Sequence, residues 1–383
     1  MEGIIVMNSK EQRVYNLALE VLHDRLSIRE FGTLIGKSYR QAQRIIKRIS
    51  EKQMLGVKHG NFLRVPINKI SSEIKLQTQK LLREKYFDFN LTHFREKLLE
   101  VEGVEIQRET LRKWAHEIHL VKKVRTSRRG RAHKPRPRMP RRGMLIQFDG
   151  SEHDWFSGEG PLCTLIGGID DATGEVIGLE FFAGEDSFNC MKVMREIIEV
   201  HGIPEAFYLD QAGYFGKTYR EQEHTQIGRA LDEIGSRVIL ATSPQAKGKI
   251  ERLWGTMQDR LRAELRLQGI NRIPAANEFL RDIYIKEHNR KFAVEPRDKN
   301  TSFSQKKLNQ NLRNIFCIKE TRKISNGNTF SYNNKLHVVL EKQDLRFRKI
   351  IIREHSDGTV DFEIYGKTVK VEKLELPAKV QAA

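Results

Sequence analysis

Over the first fifty positions apolar residues recur at helical spacing, interrupted by short polar breaks. EQRVYNLALEVLHD carries them every three to four residues, as an amphipathic helix does. Ser27 with Glu30 in SIREFGTLIG forms a capping box that opens a second helix. Ser38 with Gln41 repeats the signal after the Ile35-Gly36 stop and opens a third. There Ala42, Ile45, Ile46 and Ile49 share one face, while Arg40, Gln43, Arg44, Lys47 and Arg48 occupy the others. One packed side with donors on the other is the pattern of a recognition helix reading phosphates and base edges. MLGVKHGNFLRV then reads as a hairpin turning at His59-Gly60-Asn61. Residues 1–66 are therefore expected to form a winged helix-turn-helix domain.

Helical patterning continues through residues 67–121, where Leu91–Val101 and Arg108–His119 suggest a second DNA-binding pair that includes Arg112. Gln107 stands where a Ser or Thr cap would be stronger. The periodicity changes in residues 144–291. MLIQF, LCTLIGGID and EVIGLEFFA read as three strands, the last two joined by an Asp-Ala-Thr-Gly turn. A helix over 187–201, the strand EAFYLD, the helix GRALDEIG and the strand RVILAT follow. Long helices are expected over Ala246–Leu267 and Pro274–Asn289. A three-strand meander followed by alternating helices and strands is the order of an RNase H-like α/β fold. Residues 292–319 are Asn-, Lys- and Gln-rich and read as a linker. Short alternating runs over 320–376, punctuated by Asn-Gly, Asn-Asn, Asp-Gly and Tyr-Gly, suggest a small SH3-like β-barrel before a tail at 377–383. The fold class expected is thus multidomain α+β.

Charge divides the chain more sharply than pattern does. Of its 383 residues, 31% are charged and the net charge is +18. Residues 1–143 hold 33 Lys/Arg against 15 Asp/Glu, which accounts for the whole excess; residues 144–383 hold 35 of each. A basic block joined to a neutral one suggests a polyanion-binding half attached to a half with another task. The basic linker at 122–143 has eleven Lys/Arg, among them Arg128, Arg129 and Arg131, with three Pro and no acid. Such a segment cannot build a core and repels itself until a polyanion neutralises it. The three cysteines, Cys163, Cys190 and Cys317, form no CxxC pair, which argues against a zinc ribbon or disulfide framework and suits a reducing cytoplasm. The N-terminus is too soon polar for a signal peptide, and no run of eighteen apolar residues predicts a membrane span.

Three acids carry the candidate chemistry. Asp149 in MLIQFDGS and Asp210 in AFYLDQAGYF each end a short strand, and Glu251 in SPQAKGKIERLWG lies one turn into a helix after a Ser-Pro break. In the expected fold the two strands are neighbours, and the helix brings Glu251 to the same edge. Hard oxygen donors of this kind suit Mg²⁺, with Mn²⁺ as a substitute, rather than zinc. Two such ions would clamp the attacking and leaving oxygens of a phosphoryl transfer. Lys247, Lys249 and Arg252 flank Glu251 as candidate phosphate contacts. Asp170 and Asp171 fit a hairpin turn instead, and Glu152 and Asp154 compete less well than Asp149 because they do not directly follow the strand.

The stretch from QFDGSEHDW through GGIDDATGEVIG, GIPEAFYLD and SPQAKGKIERLWGTMQDRLRAELR resembles the catalytic core of bacterial insertion-sequence transposases, within the DDE transposase and retroviral integrase superfamily. SPQAKGKIER is the most specific motif, and the resemblance covers about residues 10–375. It implies that Asp149, Asp210 and Glu251 are the catalytic metal ligands. It also implies Mg²⁺-dependent cleavage of double-stranded DNA at transposon ends, then attack of the freed 3′-hydroxyl on target DNA. Holding two ends together implies a homodimer or larger assembly. One departure is Gln211-Ala212-Gly213-Tyr214-Phe215 after Asp210, where relatives tend to carry a polar run. A DNA-binding regulator with a relic core and a structure-specific nuclease are the alternatives. The intact acidic trio weighs against the first, and the end-recognition units and barrel weigh against the second.

Overall fold

The computed structural model describes residues 6–59, 61–62, 66, 69–120, 137–210, 225–240, 248–305 and 311–374. The chain divides into two units, Met1–Leu76 and Gln77–Ala383. The first holds three helices, α1 (Ser9–Leu22), α2 (Ile28–Ile35) and α3 (Tyr39–Lys52). Each opens on a reciprocal capping box: Asn8 with Glu11, Ser27 with Glu30, Ser38 with Gln41. The paired side chains satisfy two backbone N–H groups that a helix start leaves without partners. Ala18 and Val21 of α1, Phe31 of α2, and Ala42, Ile46 and Ile49 of α3 close one core. Where the first wing strand was expected, Gln53–Val57 makes a 3₁₀ turn instead. Gly56 lies directly against the backbone of Arg48 and Ile49, so the chain folds back on α3 rather than extending. The expected turn at Gly60 and residues 63–65 lie outside the described residues.

The second unit begins within α4 (Ser72–Glu84) and continues through α5 (Leu91–Glu100) and α6 (Arg108–Glu117). Asn90 caps α5 by accepting from the Thr92 and His93 amides, whereas Gln107 makes no side-chain cap on α6. Leu82, Tyr86, Phe94, Leu98, Leu111 and Trp114 are buried among these helices.

The central sheet contains β2 (Ile146–His153), β3 (Cys163–Asp170), β4 (Val176–Phe182), β5 (Ala206–Leu209) and β6 (Arg237–Leu240) in the order β4-β3-β2-β5-β6. A two-residue strand, β1 (Arg141–Arg142), precedes it. β2, β3 and β4 pair antiparallel, while β2–β5 and β5–β6 are parallel. On one face, α7 (Ser187–His201) and α8 (Gln226–Ile234) cover Ile146, Phe148, Ile166, Phe207 and Leu209. Gly168 and Gly178 are cross-strand partners, and a Cβ at Gly178 would meet Ile197 Cγ1 at 2.5 Å, so α7 seats closely only over glycine. On the other face lie α9 (Gly248–Leu267) and a helical run with a single π turn at Leu280–Tyr284, between α10 (Ile273–Phe279) and α11 (Ile285–Phe292). Their Ile250, Leu253, Met257, Leu261 and Leu280 pack on Leu165, Ile169, Leu179 and Phe181. β3 is buried along its whole length because both faces are covered.

The expected linker at 292–319 is only partly one. β7 (Asp298–Thr301) pairs with β1, and Ile203 bridges Ser304. Phe303, with Leu312 and Ile315 of the short α12 (Leu312–Ile315) and Phe316, joins the core beneath α7. These isolated apolar residues show no period, which is why the stretch reads as polar linker.

At the C-terminal end are β8 (Ile318–Lys323), β9 (Thr329–Tyr332), β10 (Lys335–Val339), β11 (Lys349–Glu354), β12 (Val360–Ile364), β13 (Lys367–Thr368) and β14 (Val371–Leu374). They form two sheets, β14-β10-β9 and β13-β12-β11-β8, over a shared core of Phe330, Val339, Ile350, Ile352 and Ile364. No closed barrel occurs among the described residues. Turn chemistry was readable locally, but which strands pair is decided by contacts distant in sequence. No described helix is long and apolar enough to cross a membrane.

Candidate active site

Alternation along β2 sends Ile146 and Phe148 into the core under α7 and leaves Gln147, Asp149 and Ser151 for the opposite face. There α9 runs alongside. The Ile250 amide donates to Gln147 Oε1 at 3.2 Å, the Trp254 indole to Asp149 Oδ2 at 3.2 Å, and Gln258 Nε2 to Ser151 Oγ at 3.2 Å. The three rungs match because two strand residues rise about 6.6 Å and four helix residues about 6 Å. Glu251, on the solvent-exposed side of this turn, therefore lies three residues before the group that touches Asp149.

The parallel register pairs Ile146 with Phe207 and Gln147 with Tyr208. Continued two residues, it sets Asp149 level with Asp210; Asp210 directly follows β5, but Asp149, expected at the end of its strand, lies inside β2, which runs on to His153 in pairing with β3. Both aspartates are half-buried. The Glu185 carboxylate lies against Gly150, leaving no space for a Cβ there. It also accepts from the Cys190 thiol at 3.8 Å. Burial pushes that thiol far up, and the negative charges of Glu185, Asp186 and Asp210 push it further. Cys190 is thus held as a thiol rather than a thiolate. Among the described residues no three His, Cys, Asp or Glu side chains stand close enough together to hold a metal ion.

The first turn of α9 is pinned from below. Lys249 Nζ pairs with Asp171 Oδ2 at 2.9 Å, and Asp171 is fully buried. Asp171 Oδ1 accepts from Gln147 Nε2 at 2.8 Å and its Oδ2 from the Met139 amide at 2.9 Å. Beside it, Asp170 accepts from the Gly143 amide at 2.8 Å and from Thr173. The Asp170-Asp171 turn is therefore also a buried tie between β2, α9 and the end of the basic segment. Lys249, expected at phosphate, is engaged by this tie. Arg252 is exposed and donates to the Gly248 carbonyl. With Arg138, Lys249 and Thr256 it lines an open groove along α9.

A second seam joins α5 to the far part of α9. Arg260 bonds Glu96 through both terminal nitrogens at 2.8 and 3.0 Å, and Lys291 reaches the same carboxylate at 3.0 Å. His93 and Lys97 both meet Glu264 Oε1 at 2.7 Å, and Arg266 pairs with Asp88 at 2.7 Å. Burial alone would raise the Glu96 carboxyl, but the hydrogen bonds from Arg260 and Lys291 outweigh it and hold it at about 2.

Of the expected DNA contacts, Arg40, Gln43, Arg44 and Lys47 are exposed on α3 and Arg48 is half-buried. Arg112 is paired with Glu109 on its own helix at 2.7 Å. Arg128, Arg129, Arg131 and Lys247 lie outside the described residues. Sequence reasoning missed Gln147, Asp171, Glu185, and the hydrogen bond of Trp254. Only Gln147 left a signal, as a polar residue inside the apolar run MLIQF.

No family model matches the chain. It is 32% identical over 376 residues to the y4bF protein of Sinorhizobium fredii, an inferred transposase, covering 96% of this chain and 81% of that one. It is 28% identical over 380 residues to the transposase for insertion sequence IS1202 of Streptococcus pneumoniae, covering 88% and 80%. Among solved structures it aligns with a simian T-cell lymphotropic virus intasome at 14% identity and TM-score 0.34, over 79% of this chain and 100% of that one. The HTLV-2 integrase catalytic core domain in complex with magnesium aligns at 16% identity and TM-score 0.29, over 38% and 90%. Identity over most of both chains carries the assignment: the chain belongs to the bacterial insertion-sequence transposases.

Proposed function

We propose that this transposase binds the ends of its element as double-stranded DNA, cuts there with Mg²⁺, and joins the freed 3′-hydroxyl to target DNA. The observation that carries the reading is the β2–β5 register, which levels Asp149 with Asp210 while three hydrogen-bonded rungs hold the helix of Glu251 alongside. Asp149, Asp210 and Glu251 are the ligands we assign. Their donor chemistry fits a hard divalent ion, since they offer only carboxylate oxygens and the nearby Cys190 is kept protonated. Two bound ions, Mg²⁺ or Mn²⁺, would stabilise charge on the attacking and leaving oxygens of an in-line displacement.

The remaining roles fall to the chain itself. The Trp254 N–H, donating to Asp149 Oδ2, would orient that carboxylate. Lys247 and Arg252 would hold phosphates on either side of Glu251, while Lys249 anchors the helix through Asp171. Arg40, Gln43, Arg44, Lys47 and Arg48 would present α3, the recognition helix of a helix-turn-helix, to the element's ends. Arg112 and the arginines at 128, 129 and 131 would add backbone contacts. Holding two ends requires at least a dimer.

A joining assay tests this. Purified protein is incubated with Mg²⁺ and labelled duplexes copied from the DNA flanking its gene, beside Glu251→Gln. Joined products that vanish in the variant are expected. Tight binding with neither nicking nor joining, in Mg²⁺ or Mn²⁺, would replace the enzyme by a DNA-binding regulator. Nicking without joining would make it a nuclease.

A further inference from the structure

Two aromatic residues in the C-terminal module sit where the backbone disfavours them. Tyr365 and Gly366 join β12 to β13, with φ of 52° and 79°. A two-residue hairpin with both φ positive favours Asn-Gly or Asp-Gly, and the equivalent β9–β10 turn does use Asn333-Asn334. Phe347, just before β11, has φ of 67°. Bulky side chains in this region carry strain, and such strain is kept where the side chain has a task. Neither ring is used by the core: each is 70% exposed.

Both rings lie at one end of the four-stranded sheet, among cations. Lys323 Nζ stands 4.9 Å from the Phe347 centroid, and the Arg348 guanidinium 5.7 Å from that of Tyr365. Lys349 is the register partner of Lys323, and continuing the β11–β12 register brings Tyr365 level with Lys349. Among the described residues, no carboxylate pairs with Lys323, Arg348, Lys349 or Lys367. The nearby acids are taken elsewhere: Glu320 by Arg322, Asp344 by Arg346, Glu363 by Arg353.

We propose that this end of the sheet is a stacking platform for unpaired nucleobases, with Phe347 and Tyr365 taking bases and Lys323, Arg348, Lys349 and Lys367 their phosphates. Open π faces backed by cations suit single-stranded DNA, because every base has a face to stack and every linkage a charge. Duplex DNA buries its base faces and would meet only the cations. The inference rests on the reading of the protein as DNA-binding. It adds a specific occupant, a frayed or displaced single strand.

The test is binding of the full-length protein, in EDTA, to a labelled single-stranded oligonucleotide and to a duplex of the same length. The variants are Phe347→Asn/Tyr365→Asn, chosen because asparagine tolerates a left-handed backbone, and Phe347→Trp/Tyr365→Trp, which keeps the rings. The asparagine variant, which loses two stacking rings, should bind the single strand at least about thirtyfold more weakly, with duplex affinity within about twofold of wild type. The tryptophan variant should bind both as wild type does. Equal loss on both DNAs, or no loss on the single strand, would overturn the platform and leave the proposed function standing. Failure of the wild type to bind either DNA would overturn both.

Discussion

In the proposed role Asp149 can serve as a ligand only if its carboxylate is aimed, and the Trp254 indole N–H is a group that aims it. Trp254→Phe keeps a smaller aromatic ring against Leu253 and Met257 but deletes the donor to Asp149 Oδ2. Removing a partner that orients a metal ligand typically lowers affinity or activity about 10–100-fold. Joining by this variant should fall in that range, with the Mg²⁺ requirement raised and end binding unchanged. An unchanged Mg²⁺ titration would mean that Asp149 needs no such help. The buried Lys249–Asp171 pair makes a different prediction. Asp171→Asn removes the carboxylate that faces the Lys249 ammonium, itself 15% exposed. Breaking one side of a buried pair costs about 3–5 kcal/mol, so urea unfolding should show a loss of that order. A loss below about 1 kcal/mol would place the pair effectively in solvent. Asp149, Asp210 and Glu251 could be singled out because short apolar runs and a Ser-Pro break are local signals, although β2 runs on past Asp149 to His153. The aim of Trp254 was not, since it depends on how a helix registers against a strand a hundred residues earlier.

Elements docked through charge respond to acid in a defined direction. The α5–α9 seam depends on ionised Glu96 and Glu264, whose carboxyls are both lowered: burial opposes ionisation, and hydrogen bonds from Arg260 and Lys291, and from His93 and Lys97, outweigh it. A depressed carboxyl contributes stability above its unfolded value, near 4.3, and loses it as pH falls through the folded one. For Glu96 that window runs down to about 2. His288 on α11 acts earlier, since burial first and then Arg260 hold it at about 4. Its contribution begins to fade below its unfolded value, about 6.5. The sign is the same for all three, so α5 and α6 should loosen from α9 as pH drops, first gently and then steeply below about 4.3. Hydrogen exchange of the α5 amides across pH 7 to 3, corrected for intrinsic rates, measures it. Protection that holds constant to pH 3 would show that Phe94 and Leu98 suffice without the ions. The helices themselves were legible because apolar spacing is a contiguous signal. The seam was not, because Glu96 and Arg260 are 164 positions apart.

At the scale of the whole molecule the excess of positive charge lies entirely within residues 1–143, while the half bearing the acidic trio balances to zero. For the proposed function a neutral half suits a site that would hold carboxylates and phosphates together, provided that DNA is retained by something else. Retention by Lys and Arg on phosphates releases counterions, so affinity falls with salt at about 0.9 logarithmic units per contact. Arg128, Arg129 and Arg131 stand in a segment with no acid to neutralise them. Replacing all three by alanine should therefore lower the slope of log affinity against log salt by about 2.7 if each meets a phosphate. Preference for element ends over unrelated duplex should be unchanged, because phosphate contacts carry no sequence information. Arg44→Ala on α3 should do the reverse, eroding that preference while moving the slope by no more than about 1. Titrations of both variants at four salt concentrations separate the two kinds of contact. Equal slopes for wild type and the triple variant would mean that the basic segment does not touch DNA, and that the positive excess acts through the helical units alone.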